Sequence, residues 1–267
     1  MVELDRHCFL FLVLMTLLGL TLPVAAATEC PENPLPLDAG GDAEQEAKSL
    51  HDQALTCVRE NKHRSAIVLL SESIKRDPTN AVTYLDRGSS RMVIGEVELA
   101  ISDYNTAINL KPQFAEAWYY RGATLAGLER YDRAVADLSE AIRLKPEFAL
   151  AYCARGVANF RTEHINEALL DFTAGIERNP KLADCYIDRG TLYLLTEAEY
   201  KKAIDDLTEA LHLAPPTAIA LSRRGQAYEA LGQRDHALDD FHAALDLNPN
   251  LISAKEGVMR LTAEQAK

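Results

Sequence analysis

AEAWYYRGATLAGLERYDRAVADLSEAIRLKPEF, residues 115–148, is one copy of a unit that recurs along most of the chain. Prolines mark the register at Pro78, Pro112, Pro146, Pro180, Pro215 and Pro249, in steps of 34, 34, 34, 35 and 34 residues. Ten residues after each of the first five comes a glycine: Gly88, Gly122, Gly156, Gly190 and Gly225. A fixed period of this length marks a repeat array in which each copy is one supersecondary unit. Helix formers dominate and no alternating strand pattern appears, so the fold class is all-α.

Within 115–148 the unit resolves into two helices. Trp118, Gly122 and Leu125 recur at helical spacing over the first half, and Ala134, Leu138, Ala141 and Ile142 over the second. The bend falls around Glu129–Asp132, and Lys145–Pro146 ends the second helix, because a residue before proline is pushed out of the helical region. This pattern resembles the tetratricopeptide repeat, with an aromatic at position 4, Gly at 8, Ala at 20, an aromatic or Leu at 24, Ala at 27 and Pro at 32. Position 4 holds Tyr84, Trp118, Tyr152, Tyr186 and Leu221. Position 20 holds Ala66, Ala100, Ala134, Ala168, Ala203 and Ala237, and position 24 holds Leu70, Tyr104, Leu138, Phe172, Leu207 and Phe241. The resemblance implies a right-handed superhelical solenoid of tandem helix-turn-helix repeats.

Six copies follow from that register: 47–80, 81–114, 115–148, 149–182, 183–217 and 218–251. The first is degenerate, with Leu50 for the aromatic and Ala54 for the glycine. The fifth carries one extra residue near Thr196–Glu199. Residues 252–267 read as a capping helix with Ile252, Val258 and Leu261 facing in and Lys255, Glu256, Arg260 and Glu264 outward, since an end repeat must shield its last apolar face. Residues 28–46 read as a linker containing Pro31, Pro34, Pro36, Gly40 and Gly41. Asp42 with Gln45 resembles a capping box at the start of the first helix.

Ahead of the linker, Phe9–Leu22 is an apolar run of 14 residues, followed by Pro23 and Ala25-Ala26-Ala27. That is the length of a signal-peptide core with a small-residue cleavage site, so 1–27 is expected to be a leader cut after Ala27. Glu3 and Asp5 keep the preceding residues from being clearly positive, and an uncleaved N-terminal anchor is the alternative. The expected location is exported, in a periplasm or secreted, or else membrane-anchored and facing outward. The formal net charge is −12. With no basic stripe, phosphate-backbone binding to nucleic acid is not expected.

Glycine inside a helix costs about 1 kcal/mol against alanine, so five at one position call for close helix approach as their reason. A second regularity belongs to this sequence. Arg87, Arg121, Arg155, Arg189 and Arg224 occupy position 7, and Asp103, Asp137, Asp171, Asp206 and Asp240 occupy position 23. The first copy has Gln53 and Leu69 there and lacks both. The pattern predicts a structural Arg–Asp bridge between the two helices of each of those copies.

By the same resemblance, positions 2, 5, 6, 9, 12 and 13 of the first helices line a concave groove that holds a protein or peptide partner. Here they include Leu85, Asp86, Met92, Tyr119, Tyr120, Phe160, Arg161, Ile187, Asp188, Leu194 and Arg223. Some members clamp a C-terminal carboxylate with Lys, Asn and Arg on three successive first helices. The matching positions hold His51, Leu55, Asp86, Glu116 and Tyr120 instead, so the groove suits an amphipathic or apolar segment. No metal-ligand cluster, nucleotide loop or nucleophile motif is present, so neither a cofactor nor an enzymatic activity is expected, with a thiol-dependent enzyme as the outlying alternative. Behind the leader stand Cys30, Cys57, Cys153 and Cys185, which allow three pairings. A Cys30–Cys57 bridge would tie the linker to the first copy, whereas Cys153 and Cys185 read as small buried thiols.

Overall fold

The computed structural model describes Cys30 and residues 42–263. The expected leader, most of the linker and Glu264 lie outside the described residues. Among the described residues the chain forms thirteen α-helices and no strand. Each copy contributes two: α1 (Ala43–Arg59) and α2 (His63–Arg76), α3 (Ala81–Val93) and α4 (Val97–Leu110), α5 (Ala115–Gly127) and α6 (Tyr131–Leu144). The series continues with α7 (Ala149–Arg161) and α8 (Ile165–Arg178), α9 (Ala183–Leu192) and α10 (Tyr200–Leu213), α11 (Ala218–Ala230) and α12 (Arg234–Leu247), and closes with α13 (Ile252–Ala263). The chain divides into two compact units, one ending at Pro146 and holding α1–α6, the other starting at Glu147 and holding α7–α13. None of the described helices is long and apolar enough to cross a membrane.

The helix ends follow local chemistry. The Asp42 carboxylate accepts the Glu44 N–H at 3.3 Å and starts α1, so helix begins at Ala43, four residues before the expected first copy. Asn80 caps α3 through Val82 and Thr83 N–H, and Thr217 caps α11 through the Ala220 N–H. Every second helix of a copy stops two residues before its proline, as the restriction on the pre-proline residue requires. The bend inside each copy is closed by one residue of left-handed backbone: Asn61, Gly95, Glu129, Glu163, Ala198 and Gly232, all at the same place in the register. Glycine or asparagine fits that conformation without the side-chain clash that glutamate and alanine accept there.

The extra residue of the fifth copy is absorbed as a π turn over Tyr193–Glu197 that extends α9, after which Ala198 takes the left-handed position. A single inserted residue widens a helix in this way without shifting the register beyond it.

Packing explains the invariant small residues. All six position-20 alanines are fully buried. A Cβ on Gly88 would lie 2.6 Å from the Tyr104 ring, one on Gly156 2.7 Å from Phe172, and one on Gly225 2.9 Å from Phe241. Position 8 is therefore the seat of the position-24 side chain, and burying a ring such as Phe241 contributes about 1.5–3 kcal/mol. In α13 the inward residues are Ala254, Gly257 and Leu261, with Val258 packed on the same cluster. Ile252, expected to face in, is 62% exposed. Gly257 takes the place against Phe241, and its register leaves the first residue of α13 on the open side.

Candidate functional site

The five Arg–Asp pairs are the most regular polar feature. In each, Nε and Nη2 of arginine donate to the two carboxylate oxygens at 2.7–3.0 Å. Asp103, Asp137, Asp171, Asp206 and Asp240 are buried, and this fork-on-carboxylate geometry is the strong form of the contact. The third nitrogen reaches further. Nη1 of Arg87, Arg121, Arg189 and Arg224 donates to Ser71, Asn105, Thr173 and Thr208, side chains on the second helix of the preceding copy. Each of these guanidiniums thus joins three helices. Aromatic rings at position 4 flank Arg87, Arg121 and Arg189, with Trp118 4.8 Å from the Arg121 guanidinium carbon, and Tyr228 flanks Arg224. The small polar residue at position 25 was a repeated signal in the sequence, legible only once its arginine partner is seen. Hydrogen bonding to aspartate holds Arg189 and Arg224 above the ordinary guanidinium value.

In the first unit the expected groove residues divide. Leu85, Met92 and Tyr119 are buried, at 6%, 7% and 2% exposure, and offer no surface to a partner. Leu85 and Met92 belong to the cluster built on Tyr104 and Ile108, and Tyr119 sets its ring edge-on to Tyr120. The apolar stripe of a first helix is consumed by packing here. Tyr120 is half-buried and stacks on Tyr104. Asp86 pairs with His51 Nε2 at 2.8 Å, and His51 Nδ1 lies 3.0 Å from Thr83 Oγ1. The first and second copies are therefore joined through one imidazole, a link that the sequence reading missed.

The second unit keeps more surface. Phe160, Ile187, Asp188, Leu194 and Arg223 are half-buried, and Arg161 is exposed. Phe160 packs on the cluster of Phe172 and Ile176. Asp188 lies one turn beyond Asp184 on α9, and no hydrogen bond or ion pair reaches either carboxyl among the described residues. Burial, then the Asp184 charge, pushes Asp188 up to about 8. Desolvation alone raises Asp184, although the residue as a whole is exposed, and lowers Arg223. Arg223 Nη1 donates to Gln226 on its own helix. α9 thus carries apolar side chains beside an unpaired acid, and α11 carries a guanidinium without a carboxylate.

Both cysteine pairs are disulfides: Cys30 with Cys57 and Cys153 with Cys185. The second differs from the reading of two separate thiols. Positions 5 and 3 of successive copies meet across the fold, and the same two positions hold the His51–Thr83 contact in the first unit. The Cys30 N–H also donates to Glu60 at 2.9 Å. Hydrogen bonding to Lys62, then to this N–H, holds the Glu60 carboxyl below its usual value. Among the described residues, no three His, Cys, Asp or Glu side chains are grouped to hold a metal ion.

A family model described as tetratricopeptide repeat matches residues 115–148 and 218–251, and a second, described as TPR repeat, matches 93–128. Those segments of the chain are tetratricopeptide repeats. The TPR array is 42% identical over 60 residues, 22% of the chain, to the heat-shock protein cognate co-chaperone sgt12 of Aspergillus fumigatus, and that match spans 18% of the co-chaperone. The solved structure of Pseudomonas aeruginosa PilF superposes with a TM-score of 0.74 at 19% identity, over 82% of this chain and 99% of that one. YrrB, a TPR protein with an unusual peptide-binding site, does so with 0.56 at 21% identity, over 71% and 97%. At these identities the two structures establish the fold, an all-α helical-repeat solenoid, and nothing finer. TPR repeats make this chain a protein–protein interaction module.

Proposed function

We propose that this chain is an exported, non-catalytic adaptor or scaffold that holds an amphipathic or helical segment of a partner protein against its first helices. The observation that carries the reading is the face formed by Ile187, Asp188 and Leu194. These three side chains lie along α9 and the π turn that extends it, half-buried rather than spent in the core. A patch mixing apolar surface with a few placed polar groups suits a docking segment with its own apolar and polar sides. Export is supported by the apolar run at 9–22 with its alanine-rich flank and by the two disulfides, which persist in oxidising compartments.

The test is a peptide-display selection on the purified chain, repeated on an Ile187→Arg, Leu194→Arg variant shown by circular dichroism to keep its helices. Peptides enriched on the wild type and at least tenfold weaker on the variant are expected. Peptides that bind both proteins equally would move the working surface off α9 and overturn the reading.

A further inference from the structure

Gly175 stands at position 27 of the fourth copy, where Ala107, Ala141, Ala210 and Ala244 stand in the copies around it. Those alanines are buried without difficulty, at 0–2% exposure. The fourth copy differs because of what lies opposite. A Cβ on Gly175 would sit 2.6 Å from Cys153 Sγ, 3.0 Å from Cys185 Sγ and 3.2 Å from the Ala149 carbonyl oxygen. Real side chains do not approach so closely, so the two sulfurs occupy the volume that alanine fills elsewhere. Leaving a glycine mid-helix in α8 forgoes about 1 kcal/mol of helix propensity. A compensating gain at the same place is required.

We infer that Cys153, Cys185 and Gly175 form one built unit, a covalent clasp between the first helices of the fourth and fifth copies. The clasp joins α7 to α9, the helix that carries Ile187 and Asp188, and so fixes the spacing of the face to which the docking reading points. It stands independently of that reading. Both cysteines are buried, at 3% and 1% exposure, so a dithiol reductant cannot reach either sulfur until the helices part. The clasp is a permanent structural bond and not an exchangeable redox centre. Forming it transfers two electrons and two protons from the paired thiols to a disulfide-type oxidant during folding, and the chain therefore matures where such an oxidant is supplied.

A double-mutant cycle tests the unit. In the wild-type background Gly175→Ala is expected to lower Tm by several degrees. It should also yield chains in which both thiols alkylate with iodoacetamide after unfolding without reductant. In a Cys153→Ala, Cys185→Ala background the sulfurs are gone, and the same substitution is expected to raise Tm by about 2–4 °C, the ordinary return on replacing a helical glycine by alanine. The sign reversal is the signature. A Gly175→Ala shift of the same sign and size in both backgrounds, or free thiols at Cys153 and Cys185 in the wild-type chain secreted through an oxidising compartment, overturns the inference.

Discussion

Asp188 shows how one side chain reports on its surroundings. Burial and the neighbouring Asp184 charge push its carboxyl up to about 8, so the folded chain keeps a proton there across a range in which the unfolded chain has lost it. Where the native state binds more protons, stability falls with rising pH. The loss therefore runs from the ordinary carboxylate range up to about 8 and then levels off. Asp188→Asn removes the titration while keeping the shape. Thermal melts should place the variant above wild type at pH 8 and level with it at pH 4. An equal gap at both pH values would show that the carboxyl is not held neutral. The acid itself was legible in the sequence as a first-helix residue, but its lack of a partner was not. That depends on what the other first helices bring near it.

At the scale of elements, the guanidinium at position 7 is the unit of construction. Arg224 lies on α11, bonds Asp240 on α12 through two nitrogens at 2.7 and 2.8 Å, and reaches Thr208 on α10 with the third. Asp240 is 6% exposed, and removing the arginine leaves a carboxylate with no cation in a poorly solvated place. Breaking a buried pair in this way costs about 3 kcal/mol or more. Arg224→Ala is expected to lose that much in urea unfolding, while Arg143→Ala, whose pair with Glu140 is open to solvent, should not shift the midpoint measurably. Comparable shifts would mean that the repeated pairs are decorative. Sequence spacing showed the Arg–Asp half of this joint because both residues recur within one copy. The third bond crosses to the previous copy, where Ser71, Asn105, Thr173 and Thr208 share only a polar atom and not a residue type.

Across the whole molecule, repeat arrays draw their stability from each unit and its neighbours, with no single central core. The two disulfides act on this chain in that setting, one in each compact unit, closing separations of 27 and 32 residues. Loops of that size are each worth about 2–4 kcal/mol in the chain-entropy account. Full reduction, reached by unfolding in dithiothreitol and refolding with the reductant kept in place, should lower Tm on the order of 10 °C. A melt unchanged by full reduction would remove the disulfides from the stability of the array. By itself the sequence determined the all-α class, the six-copy register, the glycine seats and the Arg–Asp bridges. Each of these rests on contacts within one copy, which the 34-residue period prints again and again. Tertiary structure alone decided which apolar first-helix residues are spent in packing, as Leu85, Met92 and Tyr119 are, and which stay half-open, as Ile187 and Leu194 do. It also decided that Ile252 faces out, that His51 meets Asp86, and that Cys153 meets Cys185 over Gly175. Those outcomes depend on how one copy lies against the next, and helical periodicity records which side of a helix is apolar without recording what will cover it.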